Sequence, residues 1–141
     1  MATGLTLKFD GGVEYQIDGR PIDFTAHFIY RGMMFSDLTN MAFTVGYTNS
    51  SWTLKVALTA NYVCRLLNHM NKHGYASVMP RLKGTVEQEP FLDFDAGYVL
   101  RSRSQFPKQG NRLPWKNYQN YIRDFISLRL GKLRDEELEF Q

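Results

Sequence analysis

The residues best placed to do chemistry run from Gly46 through Tyr47, Thr48, Asn49, Ser50, Ser51, Trp52 and Thr53 to Leu54. A short, nearly continuous apolar run, Met41 to Val45, leads into them, and a helical pattern follows. A strand end, a glycine, a polar loop and a helix start form a ligand-facing geometry in open α/β sheets. The first turn of a helix has N–H groups without intrahelical acceptors and carries a partial positive charge. It therefore suits an oxygen that gathers negative charge. An ordinary helix capped by Ser50 or Ser51 gives the same pattern, since a serine oxygen there can accept from an orphan N–H.

Other chemistry-bearing residues point to structure. His27, His69 and His73 could act as bases or ligands, yet nothing at metal-ligand spacing accompanies them, and no metal is expected. His73 precedes Gly74 at a helix end, where a cation complements the dipole. Cys64 falls at a core-facing helical position and reads as an inert buried thiol. As the sole cysteine it cannot form an internal disulfide, so no oxidising compartment is implied. Asn49-Ser50-Ser51 matches a glycosylation acceptor that a cytoplasmic chain would never use. There is no H-E-x-x-H, C-x-x-C, G-x-S-x-G or Walker A sequence. No two glycines stand two apart, so there is no G-x-G-x-x-G to let the backbone approach a pyrophosphate. No catalytic acid or base can be assigned.

The elements that must position the 46–54 junction are legible from periodicity. Leu5, Leu7 and Phe9 alternate with polar residues, as do Val13, Tyr15 and Ile17 across Asp10-Gly11-Gly12, which predicts a hairpin. Phe24, Ala26, Phe28 and Tyr30 predict a third strand, and Met41–Val45 a strand covered on both faces. Thr53–Lys72 predicts a helix about 30 Å long, stopped by Gly74. Asn61, Arg65, Asn68 and Lys72 give its second half a polar face. Its first half is apolar nearly all round, with only Lys55 and Thr59 polar, and expects burial on several sides. Residues 84–110 read as extended meander. Pro114 is predicted to open a second helix that carries Tyr118, Tyr121, Ile122, Phe125 and Ile126 and stops at Gly131. The acidic tail from Asp135 to Gln141 is expected to be marginally ordered. The fold class is α+β: N-terminal strands in 1–46, helix and meander in 47–113, and C-terminal helix and tail in 114–141.

With 43% hydrophobic and 22% charged residues, the 141-residue chain can bury a core as one domain, which excludes a disordered tail. No apolar run reaches membrane-spanning length and no leader opens the chain, so the cytoplasm is the default location. Between Arg101 and Lys132 the only acid is Asp124 among eight basic residues. That stretch reads as a solvated basic face or as a surface for phosphates, nucleic acid or an acidic partner.

Two segments resemble one family. Ala42-Phe43-Thr44-Val45-Gly46-Tyr47-Thr48-Asn49-Ser50-Ser51-Trp52-Thr53-Leu54-Lys55 is similar to a stretch of the ethionamide-activating group of class B flavoprotein monooxygenases. So are Gly97–Ser102, Pro107–Trp115 and Asn120–Asp124, in the same order. Ala2-Thr3-Gly4 resembles the A-T-G link between the NADP and FAD domains of that family. The resemblance covers nearly the whole chain, which would be the last part of a two-dinucleotide-domain α/β enzyme. It implies FAD and NADPH as cofactors. It also implies oxygenation of ketones or of sulfur or nitrogen compounds through a C4a-peroxyflavin, the cofactor carrying the hard chemistry. Thr48, Asn49, Ser50, Ser51, Thr53 and Leu54 would lie beside the flavin, with the N–H groups near Thr53 and Leu54 facing its pyrimidine oxygen. Trp52 would wall the substrate pocket, and Thr3 and Gly4 would lie near the nicotinamide cofactor. The partners implied are the N-terminal FAD- and NADP-binding portion and a small-molecule substrate, with no nucleic acid expected. By itself the chain is expected to be inactive and either poorly stable or self-associating. An autonomous basic α+β binding module is the alternative.

Overall fold

A computed structural model describes residues 8–91 and 97–141. Thr3, Gly4 and the expected strand residues Leu5 and Leu7 lie outside the described residues. Among those described, short antiparallel ladders surround one long helix, an α+β arrangement. β1 (Gln16–Ile17) pairs with β2 (Arg20–Pro21), and β3 (Ile29–Tyr30) with β4 (Met34–Phe35). Helix α1 (Trp52–His73) follows. β5 (Val78–Pro80) pairs with β8 (Leu138–Phe140), and β6 (Gln88–Pro90) with β7 (Lys108–Gly110). Between β6 and β7 lies α2 (Gly97–Ser102). After β7 comes α3 (Tyr121–Asp124), which continues directly into a π-helical segment, Phe125–Leu130.

The N-terminal strands are shorter than periodicity predicts. Asp10-Gly11-Gly12 belongs to a 3₁₀ turn, Phe9–Gly12, and the hairpin turns at Asp18-Gly19 instead. Both of those residues have positive φ (51° and 75°), which the tight two-residue hairpin turn requires. The third strand is confined to Ile29–Tyr30, because Asp23 caps a 3₁₀ turn over Phe24–Ala26 by accepting from the Thr25 N–H at 2.9 Å. Met41–Val45 is not the doubly covered strand expected. It has no strand partner among the described residues, with Ala42 and Thr44 exposed, and is held where the Phe43 N–H donates to the Met33 carbonyl at 2.8 Å.

Helix α1 begins and ends within a residue of its predicted bounds. Gly74 closes it at φ 72°, the left-handed conformation that glycine adopts most readily. Leu58, Tyr62, Leu66 and Met70 form its buried stripe, packed on Tyr30, Met34, Val78, Trp115, Leu128 and Leu138. A second core lies beside the first. Phe9, Phe24, Phe35 and Phe43 interlock there, with ring centroids 4.5–5.6 Å apart. Stacked and edge-to-face rings at such distances contribute beyond their buried area.

Four further expectations are corrected. Cys64 is exposed, not buried, because the core face of α1 passes through Leu58, Tyr62 and Leu66. The 84–110 segment contains a strand pair and a helical turn, since Gln88–Pro90 finds Lys108–Gly110 across it. Pro114 does not open the second helix. It sits after a cis peptide bond in the loop before Trp115, and the helix starts only at Tyr121, where the Asn120 side chain accepts from the Arg123 N–H. The acidic tail is tied down as well: Leu138 is buried and the Gln141 carbonyl accepts from the Ala76 and Ser77 N–H groups.

Candidate functional site: the ledge at the start of the long helix

The loop from Thr48 to Ser51 and the first turn of α1, Trp52 to Leu54, stand together as an exposed ledge. Its back is fixed by the residues on either side. Tyr47 and Lys55 are both buried, and both donate to Asp124 Oδ2 at 2.7 Å, the carboxylate coming from the C-terminal helix. Lys55 is fully buried, although it is one of only two polar residues in the apolar half of the helix. The expected burial on several sides is not found: Lys55 and Thr59 point in beside Leu58, while Leu54 and Val56 are exposed. Asp124 is the reason, because a buried ammonium needs an anionic acceptor. Burial first, then the hydrogen bond to Asp124 and its charge, push the Tyr47 phenol well above its ordinary pKa.

Gly46 shapes the front. A Cβ there would lie 2.2 Å from the Trp52 indole, so only glycine lets that ring lie against the backbone. Ser51 occupies the cap position, but its hydroxyl meets the Thr53 hydroxyl at 2.8 Å and caps no backbone N–H. The expected serine cap is absent, and among the described residues no side chain takes the N–H groups of the first turn, that of Leu54 donating to the Ser51 carbonyl at 3.3 Å.

Two clefts flank the ledge. One, about 500 Å³, is lined by Thr48 and Asn49 together with Phe91, Gln109, Lys116 and Gln119. The Thr48 N–H donates to Gln119 Oε1 at 3.0 Å, and Lys116 pairs with Glu89 at its edge. The other, also about 500 Å³, is lined by Trp52 with Phe9, Tyr15, Phe43, Phe91 and Phe106. Phe91, itself buried, contributes to both. One side of Trp52 thus faces an aromatic cleft, while Thr48 and Asn49 face a polar one. The structure brings Thr48, Asn49, Ser50, Ser51, Trp52, Thr53 and Leu54 together; Thr3 and Gly4 lie outside the described residues. Reasoning from sequence missed Phe91, Gln109, Gln119 and the Tyr47–Lys55–Asp124 cluster. A signal for the cluster was present: a lone cation in an apolar helix half and a lone acid in a basic stretch.

The basic stretch is largely engaged within the molecule. Arg112 donates to the Thr85 carbonyl, Lys108 lies over the Phe28 ring, and Arg123 lies 4.6 Å from the centroid of Tyr118. Among the described residues no group of histidines, cysteines and acids could hold a metal ion. No helix there is long and apolar enough to cross a membrane.

No family model matches the chain, and no solved structure does. Curated relatives do. Over 140 residues the chain is 51% identical to the FAD-containing monooxygenase EthA of Mycobacterium tuberculosis, covering 99% of the chain and 29% of the relative. It is 42% identical to the probable FAD-binding monooxygenase AlmA of an Acinetobacter species, covering 99% of the chain and 28% of the relative. It is 34% identical to the putative FAD-containing monooxygenase MymA of M. tuberculosis, with the same shares. The chain spans less than a third of the length of these relatives. Along nearly all of its own length, it is similar to a part of monooxygenases named as FAD-containing or FAD-binding.

Proposed function

We propose that this chain supplies the flavin-ring ledge and one wall of the substrate pocket to an FAD- and NADPH-dependent monooxygenase of Baeyer–Villiger type. The observation that carries this reading is the uncapped first turn of α1, set between a polar and an aromatic cleft and braced from behind by the buried Lys55–Asp124 pair. The residues present fit a flavin ring rather than its phosphates. The N–H groups at the start of α1 near Thr53 suit a ring carbonyl that gains charge on reduction, with the Leu54 N–H, which donates to the Ser51 carbonyl at 3.3 Å, beside them, whereas no glycine-rich turn is available for a pyrophosphate. When bound, the flavin supplies the oxygen-transfer chemistry. This chain's residues would orient and shield it. Thr48 and Asn49 would line the polar side of the ring, Ser50 and Ser51 would carry the loop past its edge, and Trp52 with Phe43, Phe91 and Phe106 would exclude water from an apolar substrate. Ketones and sulfur or nitrogen compounds are the substrate classes proposed. Thr3 and Gly4 are proposed to meet the nicotinamide cofactor.

The test is reconstitution. The chain is co-expressed with the remaining portion of the 51%-identical relative, and NADPH oxidation and flavin fluorescence are followed with ketone and thioether substrates. We expect turnover from the pair and none from the chain alone. Turnover by the chain alone, or a pair that retains no flavin, would overturn the proposal.

A further inference from the structure

The polar cleft beside the ledge carries hydrogen-bonding groups that no described residue satisfies. Asn117 lines it and is only 6% exposed, yet among the described residues neither its Oδ1 nor its Nδ2 has a partner. Gln119 lines the same cleft. Its Oε1 accepts from the Thr48 N–H at 3.0 Å, while its Nε2 is buried and has no partner among the described residues. A buried donor or acceptor left unmet is costly, so native proteins almost always meet it. Two such side chains on one cleft point to a ligand.

Both carboxamides are held in place. The Asn117 N–H donates to Gln109 Oε1 at 3.0 Å, and Gln109 Nε2 donates to the Pro90 carbonyl at 2.6 Å, so the β6–β7 pair fixes the backbone at 117. Gly32 backs the side chain, since a Cβ there would lie 3.3 Å from Asn117 Cγ and Oδ1. The Thr48 N–H needs an acceptor, which sets the oxygen of Gln119 toward Thr48 and leaves its NH₂ group for the ligand. The cleft therefore offers two amide donors and one carbonyl acceptor. It offers no unpaired charge, because Glu89 and Lys116, the charged side chains that line it, bind each other. An ion would leave water without finding a counter-charge. A neutral ring imide, with a carbonyl on each side of an N–H, is the complement of two donors and one acceptor. We infer that this cleft binds a neutral planar group of the amide class, best matched by a cyclic imide. Asn117 Nδ2 and Gln119 Nε2 would donate to its carbonyls, and Asn117 Oδ1 would accept from its N–H. The inference stands on the carboxamides and the charge balance, and not on the flavin reading. Such an imide can belong to a cofactor ring or to a substrate.

The experiment titrates the ¹⁵N-labelled chain with succinimide and with uracil and follows the side-chain NH₂ resonances of Asn117 and Gln119. We expect saturable shifts at both. N-methylsuccinimide, which lacks the donor, should bind about tenfold more weakly. Gln119→Glu keeps the acceptor for Thr48 and removes the donor, and Asn117→Leu removes both of its groups at similar size. Each should weaken succinimide about tenfold with circular dichroism unchanged. The inference is overturned if neither imide gives saturable shifts, if N-methylsuccinimide and the Gln119→Glu variant bind as tightly as the unmodified pair, if acetate competes for the site, or if the two carboxamides show contacts to long-lived water only. Riboflavin separates the sources: competition with succinimide at the same resonances assigns the cleft to a cofactor ring, and exclusion assigns it to a substrate. A chain that binds succinimide, but whose reconstituted pair retains no flavin, would sustain the imide site and sink the flavin reading. A flavin-loaded pair whose chain takes no imide would do the reverse.

Discussion

The Lys55–Asp124 pair is the residue on which most of the site geometry hangs. Asp124→Asn would leave Lys55 buried beside a neutral amide, and breaking a buried pair from one side costs about 3–5 kcal/mol. We expect a correspondingly lower melting temperature, and recovery of most of that loss in the triple variant Tyr47→Phe, Lys55→Met, Asp124→Leu, because apolar replacement of all three partners leaves neither a charge nor the Tyr47 hydroxyl unpaired. A second residue-scale expectation concerns His69. Burial first, then the positive neighbours His73, Arg134 and Lys72, lower its pKa. A histidine with a depressed folded pKa stabilises the fold above its unfolded pKa of about 6.5, and that contribution is lost as pH falls through the folded value. Proton NMR should show His69 titrating below an ordinary imidazole, and its removal in His69→Phe should flatten the acid side of the stability profile. Much of the site was legible at this scale. The 42–55 stretch marked the ledge and the glycine before it. What stayed hidden was the inward turn of Lys55, since its reason lies 69 residues away.

Elements were legible where their periodicity was long and illegible where they were short. Twenty-two residues of α1 and the Gly74 stop left little freedom. Two-residue strands have no periodicity to read: the alternation in 13–17 comes from barely paired chain, and that in 24–30 begins on a 3₁₀ turn before the two residues of β3. Register and turn position were settled by Asp18-Gly19 and by the capped turn at Asp23. At this scale Gly46 offers the sharpest test. Gly46→Ala would drive a methyl into the Trp52 indole, and overpacking of this kind costs about 1–3 kcal/mol. We expect the Trp52 ring to swing off the ledge, seen as a red-shifted fluorescence component in a Trp115→Phe background, with the far-ultraviolet spectrum unchanged. Gly74→Ala meets no neighbouring atom, so only the left-handed backbone opposes it. It should cost about 1–2 kcal/mol.

At the scale of the whole molecule, two cores are closed while two surfaces are not. Leu54 and Val56 on α1 and Ile122, Ile126 and Leu130 of the C-terminal helix are exposed together, and burying each large side chain would contribute about 1.5–3 kcal/mol. We expect the chain alone to bind a hydrophobic dye at neutral pH while keeping its native spectrum. The pairing of β5 with β8 has a different consequence. One edge of residues 76–81 receives its main-chain partners from 137–141, some sixty positions later. During synthesis the long helix can form as soon as it is made, and Asp37 and Asn40 can take one edge of 76–80, the Asp37 N–H donating to the Pro80 carbonyl and the Asn40 N–H to that of Val78, but the other edge stays open until residues 137–141 have cleared the ribosomal tunnel. Nascent chains arrested before residue 137 should therefore carry a half-paired, more protease-sensitive 76–83 segment, and closure of this ladder should coincide with delivery of β8.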